Sequence, residues 1–131
     1  MSLKVVLLAL MVALAPSPAN THEITSGRLV IVHPMVDEAE KGQAESRGSM
    51  EIRNEGNSHD RLLSIKSEFA DAVTIEGSAP VTVPAKGRAP VLMRFKNIKR
   101  KLSEDEAYAG ELMFEKAGTV KVDLMVHTHA R

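Results

Sequence analysis

The 131-residue sequence predicts an all-β fold, a single-domain β-sandwich or barrel that follows an N-terminal signal peptide. Several short runs alternate apolar and polar residues, which is the period-two pattern of half-buried strands. Turn-forming residues separate these runs at regular intervals, as they do in sandwiches and barrels. Because 44% of the residues are hydrophobic but only 3% are aromatic, we expect an aliphatic, Met-rich core.

The beginning of the chain has the pattern of a secretory signal peptide. A positive residue precedes an unbroken apolar run at residues 5–14, and Ser17 and Ala19 are the small residues before a cleavage site. The apolar run is short for a bilayer span, and an uncleaved membrane anchor is the alternative interpretation. We therefore predict a signal peptide at residues 1–19 and a mature domain at residues 20–131. The mature domain is expected in the periplasm, with no membrane insertion after cleavage.

The mature domain contains a series of predicted strands and turns. The last two strands, residues 111–114 and 119–126, read as a hairpin joined through residues 116–118. We expect Pro34 to end the first strand, and the charged and small residues 37–47 to form an exposed loop. The other predicted strands are residues 29–32, 49–53, 61–65, 72–75, 81–83 and 90–95.

Charge and composition exclude several classes of function. The 17 basic and 17 acidic side chains balance, which argues against a nucleic-acid-binding protein. The sequence contains no Cys, so disulfides, thiolate metal sites and Cys nucleophiles are excluded. It also contains no G-x-S-x-G, Walker or H-E-x-x-H motif, and no spacing of Ser, His and Asp that selects a catalytic group. We therefore expect a protein that is not an enzyme. We also expect it to be a monomer.

A basic cluster stands out near the end of the strand at 90–95. It is followed at once by three acidic residues, 104–106. One interpretation is a docking surface for an acidic partner, and the other is a solvated strand end with local charge balance, which we favour. The basic cluster consists of Arg94, Lys96, Lys99, Arg100 and Lys101.

Six segments occur in an order that resembles a known family, the periplasmic copper chaperones written PCu(A)C. The resemblance covers nearly the whole mature chain and implies a cupredoxin-like β-sandwich or barrel. It also implies that copper is held and delivered towards the copper centre of cytochrome oxidase, so the expected partner is a membrane oxidase subunit or another periplasmic copper protein. The segments are residues 22–25 (HEIT), 29–34 (LVIVHP), 50–56 (MEIRNEG), 60–62 (DRL), 83–87 (VPAKG) and 112–120 (LMFEKAGTV).

The copper ligands implied by the resemblance are replaced in this sequence. The family places a His, a downstream Met and a His-x-Met pair in the site, ligands that suit copper because thioethers favour Cu(I). Here Glu76 stands at the first His position, and Leu92 and Arg94 stand at the His-x-Met pair. Shifting the alignment by one residue brings Met93 to one position but supplies no His. We interpret this as a degenerate Cu(I) site, and Glu76 and Arg94 could form an ion pair across it.

Other residues keep some capacity for metal. His127 and His129 share one face if the last strand extends that far, and such a pair can bind Cu(II), Ni(II) or Zn(II). His22 would be the third residue of the mature chain and could join them. The alternative is a frayed, polar terminus without ligand function. His33 is interpreted as a strand-end residue, although Met35 two positions on could complete a His-x-Met pair.

The Met residues have two interpretations, as core residues or as copper ligands. We expect Met93 and Met113 in the core, since Met is an ordinary gap-filler among aliphatic side chains. For Met50 and Met125 the sequence leaves the choice open.

Two functions follow from these observations. The first is copper handling through ligands that differ from those of the family. The alternative is a metal-free accessory protein on the same scaffold that docks a partner through the basic cluster.

Overall fold

The computed structural model describes residues 23–77 and 79–128, and within them every regular element is a β-strand. The predicted all-β class is confirmed. The predicted signal peptide, His22 and His129 lie outside the described residues. No helix in the described part is long and apolar enough to cross a membrane. The strands are β1 (Glu23–Ser26), β2 (Leu29–Asp37), β3 (Glu45–Asn54), β4 (Asp60–Ser67), β5 (Ala70–Ile75), β6 (Val81–Val83), β7 (Arg88–Ile98), β8 (Ala107–Phe114) and β9 (Gly118–His127).

The strands form one sheet that curls into a half-barrel around the core. Their order is β5-β7-β3-β2-β9-β8-β4-β6, and β1 pairs with β2 beside this path. The pairings are antiparallel except that of β2 with β9, which is parallel over three residue pairs. This pairing joins β5-β7-β3-β2 to β9-β8-β4-β6. The predicted hairpin is the β8–β9 pair.

The core lies inside the curl and depends on the alternation seen in the sequence. The four apolar residues at alternate positions of β9 are all buried. Three aromatic rings meet in the core: Phe69 lies 5.0 Å from Phe95 and 5.8 Å from Tyr108, measured between ring centroids. The Tyr108 hydroxyl accepts a hydrogen bond from the Ser103 amide and donates one to the Lys101 carbonyl, so its polar end is satisfied.

Strand β2 does not end at Pro34, and that prediction was wrong. The strand continues to Asp37 through a bulge, with a shift of its register against β3 between Val32 and Met35. His33 adopts a positive φ of 49° inside the bulge. A proline has no amide to contribute to a ladder, but a bulge interrupts the ladder and therefore accommodates it.

The prediction of an exposed loop at residues 37–47 is also wrong for the last residues of that segment. Strand β3 begins at Glu45, and Ser46 is only 4% exposed. The Ser46 hydroxyl donates a hydrogen bond of 2.8 Å to the carbonyl of Asp37, which satisfies the buried polar group. Ala39 is buried too, so even the irregular part of this segment packs partly against the core. Because a buried Ser is a polar residue, it interrupts the apolar–polar alternation of a strand. The start of β3 is therefore not predictable from the sequence pattern.

Asp60 holds the turn of the β8–β9 hairpin against the start of β4. Its carboxylate is buried and accepts the amide of Lys116 at 2.8 Å, of Ala117 at 2.9 Å and of Arg61 at 2.8 Å. The DRL and FEKAGTV segments of the resemblance, distant in sequence, therefore meet at this carboxylate. Hydrogen bonds to an ionised acceptor are stronger than neutral ones, so this contact fixes the hairpin firmly.

We expect Asp60→Ala to lower the free energy of unfolding by about 2–4 kcal/mol, because it leaves partly buried backbone amides without an acceptor. Urea denaturation measures the change. Asp123→Ala, an exposed position on β9, is the control and should change stability by less than about 0.5 kcal/mol. A loss below about 1 kcal/mol for Asp60→Ala would contradict the assigned role.

Candidate functional site

The parallel pairing of β2 with β9 places four side chains on the outer face of the sheet. Met35 is in register with Met125, and Asp37 is in register with His127. The residue between each pair of positions is a buried Val, so the four side chains alternate away from the core. We call this group, Met35, Met125, Asp37 and His127, the seam quartet.

A cavity of about 280 Å³ opens beside the seam quartet. Its lining includes Met35, Asp37 and His127 on one side and Glu76 and Leu92 on the other. Glu76 and Leu92 are two of the positions at which the family resemblance expects copper ligands. The fold therefore brings His127, a ligand candidate of the sequence, next to the positions that lost their ligands. Leu92 itself is 54% exposed, and an alkyl side chain offers no donor atom.

Gly48 lines the same cavity and is required there by close packing. A Cβ at this position would lie 2.7 Å from the carbonyl oxygen of Met35 and 2.7 Å from a ring carbon of Phe95. Both contacts are too close for a side chain, so only glycine lets β2 and β3 approach after the bulge. Met93 lies near this glycine and is 1% exposed, which confirms the prediction that it belongs to the core.

Glu76 and Arg94 form the predicted ion pair. The Arg94 Nε donates to Glu76 at 2.7 Å, and its Nη1 donates to Glu45 at 2.8 Å. Lys96 donates to the second oxygen of Glu45 at 2.9 Å. The hydrogen bond from Lys96, aided by the charge of Arg94, lowers the pKa of Glu45, and the bond to Glu76 raises the pKa of Arg94. In this four-residue network Glu76 is engaged by a guanidinium instead of a metal ion.

The rest of the basic cluster is paired in the same way. Each of its five cations lies within 4.0 Å of a carboxylate, which agrees with the interpretation of local charge balance. Its role as a docking surface stays a prediction. The remaining ion pairs are Lys99–Asp71 (3.8 Å), Arg100–Glu106 (3.1 Å) and Lys101–Glu40 (3.9 Å).

The imidazole of His127 lies beside the carboxylate of Asp37. Its Nδ1 lies 3.5 Å from the Asp37 Oδ1, while more than half of the side chain is exposed. Of the predicted ligands His127, His129 and His22, only His127 is among the described residues. Within residues 23–77 and 79–128, no group of three His, Cys, Asp or Glu side chains could hold a metal ion.

The structure also settles where the Met residues lie. Met50 is buried in the core. Met113 is not a core residue as predicted; it is half-buried on the outer face of β8, where its sulfur accepts the hydroxyl of Thr119 at 3.1 Å. Met125 is half-buried on the outer face of β9, two positions before His127. The alternation of β9 could have revealed this Met-x-His pair, because it is the same rule that placed His127 with His129.

Solved PCuAC domains share the fold of this chain. The chain is similar to an apo PCuAC domain from PmoF1, with 26% identity and a TM-score of 0.76, over 82% of this chain and 100% of that chain. It is similar to an apo PCuAC domain from PmoF2, with 25% identity and a TM-score of 0.70, over 82% and 95%. A copper-bound PCuAC domain from PmoF2 matches with 24% identity and a TM-score of 0.75, over 83% and 100%.

The chain belongs to the LpqE-like family, described as "Putative lipoprotein LpqE-like", whose family model matches residues 29–126. Among curated proteins, none matches the chain. The resemblance to the PCu(A)C family and the cupredoxin-like architecture are thus confirmed.

The network around Glu45 should make stability depend on pH in acid. The pKa of Glu45 is lowered in the folded state, so its contribution is present above its usual value of about 4.5 and is lost as the pH falls through the folded value. We expect Glu45→Gln to flatten the rise of the unfolding free energy with pH below about pH 4.5. Urea denaturation between pH 3 and 7 measures this slope.

Lys96→Met serves as the companion variant, because it removes the first cause of the shift. The effect of Glu45→Gln on the slope should be smaller in the Lys96→Met background than in the unmodified protein. Equal slopes in all four proteins would show that the network does not contribute.

Proposed function

We propose that the chain is a copper-handling protein that works outside the cytoplasm, without catalysis. It would bind copper and pass it to another copper protein. The similarity to PCuAC domains over their whole length supports this proposal, as does the description of one of them as copper-bound. The membership of a family described as lipoproteins supports a location outside the cytoplasm.

One observation carries the proposal. His127 and Met35 line the same cavity as Glu76 and Leu92, two positions where the family resemblance expects ligands. Imidazole nitrogen and thioether sulfur are ligands that copper accepts, and neither forms a disulfide in an oxidising compartment. The presence of these two ligand types in the cavity supports a copper site there.

The family positions themselves do not fit copper in this chain. Arg94 carries a permanent positive charge, which repels a cation, and its partner Glu76 is already engaged at 2.7 Å. Leu92 has no donor atom. A copper ion in this cavity must therefore be held by residues other than those at the family positions.

The finer parts of the proposal concern location and partner. Removal of residues 1–19 would release a monomeric domain, residues 20–131, into the periplasm. Its partner would be a copper-receiving protein, either a membrane oxidase subunit that carries the copper centre of cytochrome oxidase or another periplasmic copper protein. The near-neutral charge of this domain fits an encounter that depends on local complementarity and not on long-range attraction.

The first test is an anaerobic Cu(I) titration against a chromophoric chelator. It uses the exported protein as the cell processes it, with its N-terminus determined by mass spectrometry. We expect one equivalent of Cu(I) to bind with a Kd below about 1 μM, near −8 kcal/mol. A parallel titration with Cu(II) shows which oxidation state is preferred.

Absence of binding in both titrations would overturn the proposal. The alternative, a metal-free accessory protein that docks a partner through the basic cluster, would then have to be tested by the salt dependence of partner binding.

A further inference from the structure

We infer that the seam quartet is a Cu(I) site in which the sulfurs of Met35 and Met125 and the imidazole of His127 are the ligands. This inference rests on the proposed function and adds the site to it. The sequence had grouped His127 with His129 and His22, and Met35 with His33. The fold instead groups His127 with two Met side chains from neighbouring strands.

The first argument is the register of β2 and β9. Met35 and Met125 are directly paired on adjacent strands, whose backbones lie about 4.8 Å apart. His127 follows Met125 by two residues on the same face, about 7 Å along the strand. Two flexible Met side chains can turn their sulfurs towards a point that the imidazole also reaches, since Met has three rotatable bonds. The bulge at His33 is what brings Met35, and not His33, into this position.

The second argument is the orientation of the imidazole. Asp37 is in register with His127, and its Oδ1 lies 3.5 Å from the His127 Nδ1, so the carboxylate is beside that nitrogen. We assign the other nitrogen, Nε2, as the ligand atom. A carboxylate behind a His ligand is the usual arrangement at metal sites, where it fixes the ring and increases its basicity. Asp37 acts here as the positioning residue, because a hard carboxylate oxygen is a poor ligand for Cu(I).

The third argument is the match between ligand type and metal. Two thioethers and one imidazole select Cu(I), whereas Zn(II) prefers thiolate, imidazole and carboxylate. The described residues offer no group of three His, Cys, Asp or Glu side chains that could hold a metal ion. Both Met side chains are half-buried and the cavity is open beside Met35, so a copper donor or acceptor has access to the site.

The charges around the seam quartet allow a cation to bind. Arg47 also lines the cavity, but strand β2 with Asp37 lies between its strand, β3, and the strand of His127. Arg94, the other guanidinium nearby, is neutralised by Glu76 and Glu45.

The test compares the Cu(I) affinity of variants by the same chelator competition. Met35→Leu/Met125→Leu removes both sulfurs but keeps apolar volume, and His127→Asn removes the imidazole. We expect each to weaken Cu(I) binding about tenfold or more. Matched controls are Met113→Leu, a half-buried Met on the outer face of β8, and His59→Asn, a His outside the cavity. Both controls should bind Cu(I) as the unmodified protein does.

A second measurement needs no variant. X-ray absorption of the Cu(I)-loaded protein should show sulfur scatterers beside nitrogen. A spectrum without sulfur would overturn the inference even if the double Met variant failed to fold.

The outcomes separate the site from the function. If the unmodified protein binds Cu(I) and the double Met variant binds equally well, the seam quartet is not the site but the proposed function stands. If only the controls lose affinity, the inference is likewise overturned. If the unmodified protein binds no copper, the proposed function fails and the inference fails with it.

Discussion

The three-residue parallel pairing between β2 and β9 is the contact on which the described structure depends. It joins the antiparallel strands β5-β7-β3-β2, with β1 beside β2, to the antiparallel strands β9-β8-β4-β6, and so forms one curled sheet with one core. β2 can form it because β1 covers only the first part of its free edge, and because the bulge at His33 resets the strand before Met35. Gly48 then permits the close approach of β3. The same pairing sets Met35 beside Met125 and Asp37 beside His127, so architecture and candidate site have one origin.

Sequence patterns predict those strands of this fold whose own residues alternate between buried apolar and exposed polar positions. The alternation in β9 and the turn before Gly118 predict the hairpin, and it is present. The start of β3 at Glu45, the continuation of β2 past Pro34 and the pairing of β1 are not visible in the sequence. Each of these features depends on a neighbouring strand. The Ser46 hydroxyl donates to the Asp37 carbonyl on β2, and the bulge in β2 accommodates Pro34. Strand β1 pairs with the first part of the edge of β2.

The candidate site shows the same division. The replacement of expected ligands by Glu76 and Arg94 predicts an ion pair, because opposite charges at neighbouring positions of a lost site attract each other, and the pair is present. The period of β9 places His127 on the outer face without help from the structure. The neighbours of His127 on this outer face depend on the register between β2 and β9, two strands that lie far apart in sequence. No local sequence pattern predicts that Met125 lies beside Met35. The sequence alone therefore does not show that these two side chains are neighbours.

The seam quartet spans the pairing of β2 with β9, so copper bound there would affect how firmly the two parts of the sheet are held together. An ion bound by Met35 on β2 and by Met125 and His127 on β9 would fasten the two halves of the sheet to each other. Binding to the folded state alone stabilises it by about 2.7 kcal/mol when free copper is a hundred times Kd. The loaded protein would then exchange the amide hydrogens of the junction more slowly than the empty one, and a partner that removes the ion would at the same time loosen the seam that held it.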